Sequence, residues 1–272
     1  MSLPRGAARV RAAFARATGE GRCALIVYLV AGHPDEATSV AAACAALDAG
    51  ADILEIGIPF SDPVADGPVI AAAGHAALAA GGGVDGAARV VRSLRRAGYR
   101  QPLLGMGYLN PLVARGRRAT LVELAAAGLD GLIVPDLPAG EDRQLEREAA
   151  HSGLGMCFLV TPNGSDARIE HAIRASTAFL YVVPLYGVTG ARDRVATTTV
   201  PLLERIRAAT AGRVPVAVGF GVSRAEHVRE LATAVDGVIV GSAIVEALAE
   251  GGPSSVKAVV TSLVGGAARA IR

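Results

Sequence analysis

The chain has 272 residues, 51% of them hydrophobic and 19% charged, which supports a large core and excludes a disordered or highly charged polymer. A formal net charge of +2, scattered basic residues, few aromatics and no tryptophan exclude an electrostatic nucleic-acid binder with a base-stacking platform. Three dispersed cysteines (Cys23, Cys44, Cys157) without a CxxC pair read as reduced thiols of a cytoplasmic protein, and no apolar run reaches the roughly 20 residues of a membrane span.

In chain order, Met1–Gly19 comes first, with several arginines and no acid before Glu20. Organellar presequences share that composition. Val10 and Phe14, one turn apart, point instead to an amphipathic helix covering one end of the fold. Short apolar runs then alternate with alanine-rich helical stretches. Strands are expected at Ala24–Val30, Asp52–Ile58, Pro102–Leu109, Asp130–Val134, Leu154–Val160, Ala178–Val183, Val214–Val218 and Val235–Val240. Helices are expected at Asp35–Ala49, from Pro68, at Val84–Ala97, Thr120–Ala127 and Glu141–His151, from Asp166, at Thr198–Ala209, after a Ser223 cap, and from Ser254 to Ala270.

Continuous apolar strands are those of a parallel sheet covered on both faces. Eight strand–helix units in this length predict a single (β/α)₈ TIM barrel over residues 1–272 with an extra N-terminal helix. A doubly wound sheet is the weaker alternative, because no G-x-G-x-x-G follows the first strand.

Chemistry in such a barrel sits at the C-terminal strand ends. Tyr28, Glu55, Tyr108, Asn110, Asp136 and Tyr181 fall in or just after strands. Gly219-Phe220-Gly221 and Gly241-Ser242-Ala243 follow the seventh and eighth strands, each expected to open a helix. Glycines there let backbone N–H groups approach an anion at a helix N-terminus, so the pair points to a phosphomonoester substrate.

The sole lysine, Lys257, lies on the last helix, away from any strand end, which argues against Schiff-base chemistry. The five histidines show neither H-x-H nor HExxH spacing, so no metal site and no cofactor are expected. Carboxylates remain. Glu55 interrupts an apolar strand, and Asp66 sits in the stiff loop Pro59–Pro68, so they read as an acid/base pair facing one cleft. The plainer alternatives are an arginine-paired Glu55, a turn or N-cap role for Asp66, and a turn role for the third candidate, Asp136.

These residues also carry a resemblance. LEIGIPFSDPVADGP (Leu54–Pro68), VPDLP (Val134–Pro138), GVTG (Gly187–Gly190), GFGVS (Gly219–Ser223) and GSAIV (Gly241–Val245) resemble, in order, the tryptophan synthase α subunit family. The resemblance implies retro-aldol cleavage of indole-3-glycerol phosphate, with Glu55 transferring protons and Asp66 holding the indole N–H. It implies substrate contacts from Tyr28, Tyr108 and Tyr181, and phosphate contacts from Gly190, Phe220, Gly221, Gly241 and Ser242. It also implies that Phe60, Asp62, Pro63, Asn110, Pro138 and Gly187 face a pyridoxal-phosphate β subunit in an α₂β₂ assembly, the tryptophan-forming complex.

The chain departs from the family pattern in three places. Val30 replaces a usual threonine, His33 a frequent acid, and Pro184-Leu185-Tyr186 a common Ser-Arg in the loop that closes over substrate. A free-standing lyase releasing indole, or a weakly catalytic activator of a β subunit, would be alternative uses of the same scaffold. A phosphosugar isomerase or epimerase barrel would place its acid/base pair elsewhere.

Overall fold

Eight short parallel strands pair in sequence order, and the eighth returns to hydrogen-bond the first, closing a barrel. The computed structural model describes residues 5–161, 164–183, 199–219 and 221–268. Helix α1 (Ala7–Gly19) leads into β1 (Ala24–Val30), α2 (Glu36–Asp48) and β2 (Ile53–Gly57). Two helices, α3 (Pro68–Ala79) and α4 (Val84–Arg96), precede β3 (Leu103–Met106), and two more, α5 (Leu109–Ala114) and α6 (Arg117–Ala127), precede β4 (Gly131–Ile133). Then follow α7 (Arg143–His151), β5 (Gly155–Val160), α8 (Asp166–Ala175), β6 (Leu180–Val182) and α9 (Thr199–Thr210). The chain finishes with β7 (Val216–Gly219), α10 (Ala225–Leu231), β8 (Gly237–Val240) and α11 (Ser242–Gly266). No helix among the described residues is long and apolar enough to cross a membrane.

Alternation along each strand sorts the core into two layers. On β1, Leu25, Val27 and Leu29 join the layer between sheet and helices, while Ile26 faces the barrel interior. The interior takes one residue from or beside each strand: Ile26, Ile53, Leu104, Ile133, Cys157, Phe179, Ala217 and Ile239, all buried. The barrel is therefore a packed core, and only its ends are available for function.

The N-terminal end is sealed by α1, which buries Val10, Ala13, Phe14 and Ala17. Phe14 stacks at 5.6 Å on Phe179. A Cβ at Gly237 would lie 2.7 Å from the Phe14 ring, so glycine there leaves room for the plug. With no acid of its own in α1, the helix finds anions on the strands. Arg16 and Arg22 converge on Asp52, just before β2, and Arg9 and Arg95 converge on Asp130, just before β4.

Several expected boundaries move. The expected strand Pro102–Leu109 ends at Met106, and Leu109 begins the unpredicted α5, because the Asp136 carboxylate accepts the Leu109 N–H at 2.9 Å and stabilises a helix start. Ser223 is not a cap; its N–H donates to Nδ1 of His227, and Arg224 precedes α10. The last helix starts at Ser242 rather than Ser254. It breaks at Gly251 and Gly252 (φ +67°), and Pro253 starts its second half.

Candidate active site

Glu55 enters the C-terminal mouth from β2, in register with Tyr28 on β1 and Leu104 on β3. It is 1% exposed, and its Oε2 has no hydrogen-bond partner among the described residues. Among the described residues no arginine pairs with it. Burial first, and the charge of Asp66 second, push its carboxyl up to about 8. Near neutrality Glu55 therefore carries a proton, ready to donate it.

Two tyrosines frame this carboxyl, and glycine makes each placement possible. A Cβ on Gly57 would lie 2.2 Å from the Tyr28 hydroxyl, and one on Gly219 would lie 2.3 Å from the Tyr181 hydroxyl. Each phenol thus lies across a bare stretch of neighbouring strand instead of standing up into the mouth. Burial drives both phenols well above their ordinary range, reinforced by nearby carboxylates, so both stay protonated. Cys157, on β5, also faces Glu55; burial pushes its thiol up and leaves it a poor nucleophile. This neighbour was missed in the sequence, where only the parity of β5 hinted at it.

Asp66 comes from the loop after β2 and is partly buried. Burial raises its carboxyl, and a hydrogen bond from the Tyr108 hydroxyl opposes the rise. While Glu55 keeps its proton it puts no negative charge on Asp66, so the two carboxyls share one cleft as a neutral acid beside a carboxylate. Tyr108, buried after β3, also accepts the Ala65 N–H at 2.9 Å. On α3, His75 helps hold the loop, with Nε2 3.0 Å from the Ser61 carbonyl. The third candidate, Asp136, is exposed, and both its oxygens accept the Leu109 N–H, which is a structural role.

Gly241 follows β8 and caps α11, so the N–H groups of Ser242 and Ala243 lack partners within the helix, at the C-terminal end of the strand. The β7 side differs from expectation: Gly221 (φ +71°) is followed by three more residues before α10, so no helix opens directly behind β7. Of the residues expected to face a partner, Asp62, Asn110 and Pro138 are exposed, and Phe60 and Pro63 are half-buried; Asn110 lies in α5 and the others on the loops after β2 and β4. Gly187, Gly190, Phe220 and Pro184–Tyr186 lie outside the described residues. His33 carries a buried Nδ1 without a partner among the described residues. Those residues bring together no metal-ligand set of three or more His, Cys, Asp or Glu side chains.

Comparison with known proteins identifies the family. Residues 14–268 match the family model described as tryptophan synthase alpha chain. The tryptophan synthase alpha chain of Phenylobacterium zucineum is 41% identical over 97% of this chain and 96% of its own, and that of Synechococcus elongatus is 42% identical over 89% and 91%. Among solved structures, tryptophan synthase from M. tuberculosis superposes with a TM-score of 0.87 at 36% identity, covering 96% of this chain and 99% of that one. The alpha-subunit from Pyrococcus furiosus gives 0.81 at 38% identity, with 90% and 99% covered. The barrel, the order of its motifs and these relatives together establish that the chain belongs to the tryptophan synthase alpha chain family of carbon–carbon lyases.

Proposed function

We propose that the chain, working as a single barrel domain, cleaves indole-3-glycerol phosphate to indole and glyceraldehyde 3-phosphate with Glu55 and Asp66 as its catalytic pair. A neutral Glu55 delivers its proton to C3 of the indole, and Asp66 accepts the ring N–H and stabilises the positive charge that develops there. The resulting Glu55 carboxylate takes the proton of the side-chain hydroxyl. As that carbinol becomes an aldehyde, the C3–carbon bond breaks, its electron pair returns to the ring, and Glu55 is protonated again. The protonated ring is the electron sink, so neither an amine nor a cofactor is required.

The observation that carries this reading is a buried Glu55 whose Oε2 has no partner among the described residues, close to Asp66, with its proton held up to about 8. Tyr28 and Tyr181 supply pocket walls, and Tyr108 lies at the mouth. Gly221, Gly241 and Ser242, with Gly190 and Phe220, would bind the phosphate. Partner docking fits the rim formed by Phe60, Asp62, Pro63, Asn110 and Pro138, with Gly187. The family implies a β-subunit partner, and an α₂β₂ assembly would pass indole to it.

Indole release, measured with and without an added β subunit, tests this. Wild type is expected to turn over, more rapidly in the complex, and Glu55→Gln to lose about 10²–10⁴-fold in kcat. Full activity in Glu55→Gln would remove the catalytic assignment; no indole from wild type under either condition would remove the lyase reading.

A further inference from the structure

Hydrogen bonds tie three successive loops together at the mouth, and they meet at one phenol. After β4, the Asp136 carboxylate accepts the Leu109 N–H at 2.9 and 3.2 Å. Leu109 adjoins Tyr108 at the end of β3. The Tyr108 hydroxyl accepts the Ala65 N–H at 2.9 Å, beside Asp66, and lowers the Asp66 carboxyl against the effect of burial. Its ring packs on Phe60 of the same loop, with centroids 5.4 Å apart. One lone pair of the phenol is thus spent on the acidic loop.

The loop has little else to hold it. Its other hydrogen bonds among the described residues are local, such as Val64 N–H to Asp62 O and Asp66 N–H to Pro63 O. His75 alone adds a link from outside. Proline stiffens the loop internally but does not tell it where to sit on the barrel. Tyr108 does that at the Ala65 backbone and through its ring on Phe60.

We propose that Tyr108 is the positioning residue for Asp66, anchoring the acidic loop at Ala65 and Phe60 so that the carboxylate faces the cleft, and that Asp136 supports this through Leu109. The inference rests on the proposed function, and it moves Tyr108 from the substrate wall to the machinery that aims a catalytic group. A carboxylate free to rotate would offer its lone pairs to the ring N–H only part of the time. Misplacement by about 1 Å is enough to cost on the order of 10²-fold in rate. Glu55 from β2, Tyr28 from β1 and Tyr181 from β6 are the other titratable groups facing Asp66.

Tyr108→Phe keeps the ring against Phe60 and deletes only the hydroxyl, so the fold should survive, as circular dichroism would show. We expect kcat to fall about 10–100-fold with KM changed far less. The acid limb of the pH–rate profile should move to higher pH, because the bond that lowers Asp66 is gone. Carbon-13 NMR titration of the Asp66 carboxyl should show the same upward move without reference to turnover. Asp136→Ala should give a smaller change in the same direction, and the double variant should match Tyr108→Phe alone.

Wild-type kcat and an unmoved Asp66 titration in Tyr108→Phe would overturn the inference. So would a raised KM with kcat and titration unchanged, which would make Tyr108 a substrate contact. A wild type that makes no indole while Asp66 still shifts in the variant would instead sink the lyase reading and leave the positioning intact.

Discussion

Asp52, just before β2, and Glu55, at the centre of the strand, sit three residues apart, both almost fully buried, and the fold treats them in opposite ways. Asp52 receives Arg22 through two hydrogen bonds, at 2.5 and 2.8 Å, Arg16 at 3.1 Å and the Leu25 N–H at 2.9 Å. Among the described residues Glu55 receives no cation, and its Oε2 no partner. Asp130 repeats the Asp52 pattern with Arg9, Arg95, the Gly6 N–H and the Leu103 N–H. The closed end of the barrel thus spends its buried acids on stability, and the open end keeps one uncompensated. An ion-paired carboxylate holds structure together but has no reason to exchange a proton; an unpaired one in low dielectric holds its proton near neutral pH.

The largest break in this contrast should come from exchanging ionisable and neutral groups at Glu55. Below about pH 4.3 both folded and unfolded chains carry the Glu55 proton; from there to about 8 only the folded chain does. Wild-type stability should therefore decline as pH rises through that window, by up to roughly 5 kcal/mol in total. Glu55→Gln, which cannot ionise, should lose this slope, so that denaturant unfolding at pH 8 finds the variant more stable than wild type. A variant that keeps the wild-type slope would mean that Glu55 is ionised in the folded protein.

At the other end, Asp52→Asn takes the buried anion from Arg16 and Arg22 and leaves Arg22 only the half-exposed Glu20. Unfolding should become easier by about 3 kcal/mol, while the kcat of the remaining folded protein stays unchanged. A lost kcat in correctly folded Asp52→Asn would break the division of labour between the ends. The smallest effect should come from Arg16→Ala. Arg16 has a half-exposed side chain, and Arg22 still covers Asp52, so the expected cost is below about 1 kcal/mol. A larger cost would show that the two arginines act as one cooperative network.

Much of this was legible in the chain. The span of β1 matched residue for residue, and α3 began at Pro68, because a continuous apolar run and a proline at the first helical position are local signals. The short helix α5 was not legible. Its start depends on Asp136, 27 residues downstream, which no window around Leu109 contains. The break in α11 hid its first half for a related reason: Gly251-Gly252-Pro253 looks like a helix boundary, and it is one, but both sides are helical.

The same division holds at the candidate site. The sequence by itself determined the residue types and their barrel positions: a carboxyl inside an apolar strand, a stiff acidic loop, and glycines behind the last two strands. These are matters of period and backbone chemistry. Only the tertiary structure decided which acids are paired. Arg16 and Arg22 are near Glu55 and Asp52 alike in no local sense, and closing the barrel with α1 beneath it brings them to Asp52 alone. It also decided that Tyr108 grips the acidic loop, since that contact joins residues 43 apart. Charge compensation and hydrogen-bond commitment are set by distances of a few ångströms between remote segments, and those distances exist only once the sheet has closed.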